Sequence, residues 1–141
     1  MSAINEWFGY YNAIFTHLRE TYGDNELEAY FDYLVKNAYD DVIPLYRDGG
    51  LAKIADRYVT NFKKDGDDSS AKAEIIGNEL KIEVKCPAFY NAPTVKHPDK
   101  HVGPFFCDCC KSLNGKILDA AGYTLKIEGG CGNCIFNVTK K

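Results

Sequence analysis

Apolar residues recur at spacings of three and four through the first half of the chain. Ile4, Phe8, Tyr11, Phe15, Leu18 and Tyr22 form one such stripe, which predicts an amphipathic helix closed by Gly23. Leu27, Tyr30, Phe31, Leu34, Val35 and Ala38 predict a second helix. Asp24 and Asn25 are placed to cap it, with Glu28 three residues after Asn25 as in a capping box, and Pro44 is expected to end or kink it. After Gly49-Gly50, the positions Leu51, Ile54, Ala55, Tyr58, Val59 and Phe62 predict a third helix, and Lys63 to Ser70 reads as a polar turn.

The period then drops to two. Leu80, Ile82, Val84 and Cys86 alternate with Lys81, Glu83 and Lys85, the pattern of a strand with one buried face, so Cys86 is expected to point inward. A shorter strand around Ala71 to Ile75 precedes it across a Gly77-Asn78 turn. Residues 87 to 106 carry Pro87, Pro93, Pro98 and Pro104 and are too proline-rich for a regular element. A helix from about Cys109 to Ala121 follows, with Asp108 as N-cap and Gly122 as its stop. Tyr123, Leu125 and Ile127, then Cys134, Phe136 and Val138, alternate as two strands around a turn at residues 129 to 133. The expected fold is α+β: three N-terminal helices, then an antiparallel sheet of about four strands in ββ-α-ββ order. One domain is expected, with a helical part over residues 1–66 and a cysteine-bearing part over 71–141.

Composition narrows what such a domain does. A chain of 141 residues at 45% hydrophobic content buries a core without disulfide staples, so its six cysteines need another explanation. No charged segment leads into an apolar run at the start, and no stretch approaches the roughly 18 apolar residues of a membrane span. A cytoplasmic protein without a membrane partner is therefore expected, and in that reducing compartment paired cysteines serve more often as ligands or redox groups than as disulfides. The net charge of -3 leaves no lysine and arginine surplus to neutralise phosphates, which argues against a nucleic-acid partner.

Cys107-Asp108-Cys109-Cys110 and Cys131-Gly132-Asn133-Cys134 each set two sulfurs three positions apart, with residues 111–130 between the pairs. That is close to the spacing of four-cysteine zinc sites, in which tight turns aim paired thiolates at one ion. Facing adds a second argument. Cys110 shares a helical stripe with Leu113, Ile117 and Ala121, while Cys86 and Cys134 share strand faces with apolar neighbours. Cys107, near a helix N-terminus, sits where unpaired N–H groups favour a thiolate. Cys86, Cys107, Cys110, Cys131 and Cys134 are the candidate metal ligands, Cys109 is the expected bystander, and zinc is the default ion, with an iron-sulfur cluster as the alternative. His97 and His101 are weaker candidates, as ligands or as a base beside a Cys107 nucleophile. Tyr10 and Tyr33 fall off the helical stripes and are candidates for an exposed strip that docks a second copy or a small molecule.

Four short stretches carry a family resemblance: Glu20-Thr21-Tyr22-Gly23, Lys85-Cys86-Pro87, Phe106-Cys107, and the Gly-rich turn into Cys134-Ile135-Phe136. On these the chain resembles L-2-amino-thiazoline-4-carboxylic acid hydrolase-like proteins and, more distantly, the 4-vinyl reductase type of small-ligand domain. The resemblance implies an α+β domain with a cysteine-bearing pocket and the hydrolytic opening of a small sulfur-nitrogen heterocycle. No catalytic residue carries over from it. Whether the chain is an enzyme stays open at this point.

Overall fold

A computed structural model describes residues 3–87, 104–130 and 132–141, with the side chains of residues 3–7 left out. Among the described residues, four helices and four strands follow one another as α1 (Ala3–Tyr22), α2 (Asp24–Asn37), α3 (Val42–Asp65), β1 (Ala71–Ile76), β2 (Glu79–Lys85), α4 (Pro104–Ala120), β3 (Tyr123–Gly130) and β4 (Asn133–Lys140). The α+β class, the three leading helices and the antiparallel sheet are as the periodicities require. The strands lie in the order β1-β2-β4-β3, all neighbours antiparallel. β4 is therefore central, between β2 and β3. Among the described residues, no helix is long and apolar enough to cross a membrane.

The sheet has one covered face. Leu80, Ile82 and Val84 of β2 sit opposite Val138, Phe136 and Cys134 of β4, and all but Cys134 are buried. α3 and α4 lie over this face, contributing Ile54, Tyr58, Ile117 and Leu118 to the main core. The other face carries Lys72, Glu74, Glu79, Lys81, Glu83 and Lys85, all exposed or partly so. A second, smaller core joins α1 and α2 to the far side of α4 through Phe15, Leu27, Phe31 and Cys109. α4 thus packs on two sides, with apolar residues on both.

Several local expectations change. α2 ends at Asn37, and Pro44 falls in the first turn of α3, where its missing N–H would have no partner in any case. The break foreseen at Gly49-Gly50 lies within the α3 span: Gly50 takes φ 69 and ψ -163, a conformation open to glycine alone, and splits α3 into two helical segments. The capping box does not form. Gly23, which has no side chain to cap with, is the N-cap of α2, and Glu28 accepts from Ser112 Oγ at 2.8 Å and pairs with Lys116 of α4. α4 begins at Pro104 rather than Cys109, which takes the proline at the first helical position, where proline is favoured, and puts Asp108 inside the helix. The α1 stripe is only partly used: Phe15 is buried, but Tyr11 and Tyr22 are exposed, since α1 packs against α2 and α4 and no described residue covers its other flank. Tyr10 and Tyr33 are exposed, at 60% and 61%.

Candidate thiol site

Strand alternation carries the inward face of β2 from Val84 to Cys86, the residue just past the strand's end. There the Cys86 N–H donates to Gly132 O at 2.7 Å, tying the end of β2 to the β3–β4 turn. On β4, Cys134 faces the same side, opposite Val84 on one neighbour and Gly129 on the other. Cys107 and Cys110, three residues apart in the first turns of α4, share one helix face. These four thiols, drawn from three elements, line one cavity of about 30 Å³ closed by Phe62, Phe106, Ile127 and Phe136, with Lys111 also in its wall. Cys86, Cys110 and Cys134 pack against the main core, the convergence their facing implied.

The electrostatics bear the mark of crowding. Burial, followed by the neighbouring thiols Cys86, Cys134 and Cys107, pushes Cys110 up to about 12. Burial and then Cys86 and Cys107 push Cys134 up to about 11, with Lys111 opposing. Without a cation these groups are neutral at pH 7. Cys110 has a further partner: Asn114, one turn along α4, donates Nδ2 to Cys110 O at 2.8 Å and to Cys110 Sγ at 3.3 Å. Its Oδ1 accepts from the buried Tyr58 hydroxyl at 2.7 Å, linking α3 to the thiol. Lys111 Nζ donates to Gly129 O at 3.0 Å, which holds this cation of the cavity wall against the end of β3.

Cys109 points elsewhere. It is 3% exposed among Phe15, Leu27 and Phe31, and burial raises its thiol to about 12. Its separation from Cys110 follows from helix geometry, since adjacent residues on a helix diverge by about 100°. Cys131, His97 and His101 lie outside the described residues, although Gly130 and Gly132 on either side of position 131 line the cavity. Among the described residues, no three Cys, His, Asp or Glu side chains converge closely enough to hold an ion as they stand.

Asn114, Tyr58 and Lys111 were not singled out by the sequence. Asn114 had a legible signal, because it lies four residues after Cys110 and so on the same helix face. Tyr58 had none beyond its place in the α3 stripe; its hydroxyl finds Asn114 only once α3 and α4 lie side by side on the sheet. No protein-family model, curated protein or solved structure matches the chain, so the family resemblance stands on its four short stretches alone.

Proposed function

We propose that the Cys86, Cys107, Cys110 and Cys134 cluster binds a soft metal ion, zinc before an iron-sulfur cluster, with Cys131 as a further ligand nominated by its spacing. The observation that carries this reading is four thiols from three separate elements around one small apolar cavity. About 30 Å³ is the share of one water molecule, which suits a single ion. It is far below the roughly 300 Å³ at which pockets for organic ligands begin, so the hydrolytic opening of a heterocycle gains no support from this cavity. Among the described residues, no three of these side chains converge on one point as they stand; a cation that displaces thiol protons supplies the attraction that draws thiolates together.

Each ligating thiol gives up a proton, so affinity falls as pH is lowered. Protein purified anaerobically without a histidine tag should carry about one metal ion per chain by elemental analysis. A colourless preparation with zinc indicates the mononuclear site, and visible absorbance with iron the cluster. Cys110→Ser should empty the site while Cys109→Ser leaves it filled. Metal-free protein whose thiols all titrate rapidly, and which takes up no added zinc, would refute the proposal.

A further inference from the structure

β1 is an edge strand, paired on one side with β2 and, among the described residues, open on the other, with every residue from Lys72 to Glu79 exposed. The ladder determines which of its backbone groups are open. Lys85 N donates to Ser70 O, and the register continues with Lys72 opposite Glu83 and Glu74 opposite Lys81. In an antiparallel pair hydrogen-bonded residues alternate with non-hydrogen-bonded ones, so the even-numbered residues of β1 turn their N–H and C=O groups toward β2. Ala71, Ala73 and Ile75 therefore turn theirs outward, and of these Ala73 and Ile75 are exposed while Ala71 is only 4% exposed. Such a row is a template for another strand unless charge or shape forbids it.

Charge here selects a partner. Lys72 and Glu74 flank Ala73 on the uncovered face of the sheet. A second β1 laid antiparallel with Ala73 opposite Ala73 places each Lys72 opposite the other chain's Glu74. It also brings Ile75 alongside Ala71, which is buried in the single chain, so the open groups that meet directly are those of Ala73. Slipping by two residues either way puts Lys72 opposite Lys72 or Glu74 opposite Glu74, and slipping by one turns exposed charges toward the core face. The favoured register joins hydrogen-bonding groups to hydrogen-bonding groups at Ala73 and covers part of Ile75, which is 45% exposed in the single chain. The Lys72–Glu74 pairs fall at non-hydrogen-bonded positions, where opposed side chains come closest.

We infer that two copies of this chain pair through β1 about a twofold axis at Ala73, extending the four-stranded sheet to eight strands. This inference is independent of the thiol site. Sedimentation velocity across a concentration series tests it. Wild type should show a monomer–dimer equilibrium. Lys72→Glu and Glu74→Lys should each weaken the dimer by about tenfold, because each replaces two attractive contacts with two repulsive ones.

Mixing the two single variants should restore a dimer, since one then presents two acidic side chains along this edge and the other two basic ones. That outcome is insensitive to any effect of either substitution within its own chain. Ala73→Pro, which removes an outward N–H and none of the bonds to β2, should also yield monomer with an unchanged circular dichroism spectrum. A wild-type chain that remains monomeric to about millimolar concentration, or a dimer indifferent to these substitutions and to mixing, would overturn the inference.

Discussion

Replacing Asn114 with alanine breaks the link between α3 and the Cys110 thiol, and its cost can be worked out from the hydrogen bonds it makes. The Tyr58 hydroxyl donates to Asn114 Oδ1 at 2.7 Å, and Tyr58 is only 8% exposed. Losing that bond leaves the buried hydroxyl without a partner, which costs about 1–3 kcal/mol. Asn114→Ala should therefore destabilise by about 1–3 kcal/mol. Tyr58→Phe instead leaves Asn114 Oδ1 without its donor and should cost about 1–3 kcal/mol. In the double variant neither partner is stranded, so its cost should fall short of the sum by about 1 kcal/mol or more. Urea unfolding of the four metal-free proteins measures this, with an unchanged slope and midpoints shifted by about 1 M. Single-variant costs that add to within about 0.5 kcal/mol would refute the linkage.

The same group of residues carries a pH signature. Burial raises Tyr58 well above its usual value, and Cys110 and Cys134 are pushed up to about 12 and about 11. A group with a raised folded-state pKa contributes stability that is complete below its unfolded pKa and is lost as pH rises toward the folded one. Stability of the metal-free protein should thus hold through neutral pH and decline as pH rises through about 8.5, where unfolded thiols ionise. Tyr58→Phe should make that decline shallower above about pH 10 without abolishing it.

Two substitutions away from the cavity probe the elements that build it. Cys109→Ser places a hydroxyl among Phe15, Leu27 and Phe31 and should cost about 1–3 kcal/mol in thermal or urea unfolding, with metal content unchanged. Gly50→Ala forces a side chain into the φ 69 break of α3 and should cost about 1–3 kcal/mol, measured in the same way; a neutral result would mean the break is not needed to seat α3 on the sheet.

The sequence by itself determined the element types and the inward faces of the sheet, because burial on one side imposes a period of two on strands and 3.6 on helices. Leu80, Ile82, Val84 and Cys86 could be read as one face without any knowledge of their partners. So could Cys110 with Leu113 and Ile117, and the pairing of Cys107 with Cys110 by spacing. Helix ends were less legible: Pro104 opens α4 three residues before Cys107, and Glu28 gives up a capping role for partners on α4, a choice made by packing of distant segments. The strand order was beyond reach, since placing β4 between β2 and β3 is a matter of which edges meet, and alternation says nothing of edges. Only the tertiary structure brought the end of β2, the start of β4 and the first turns of α4 around one cavity and sent Cys109 to a different core from Cys110. The physical reason is that a periodicity reports which side of an element is buried, while the identity of what buries it is set by chain segments tens of residues away.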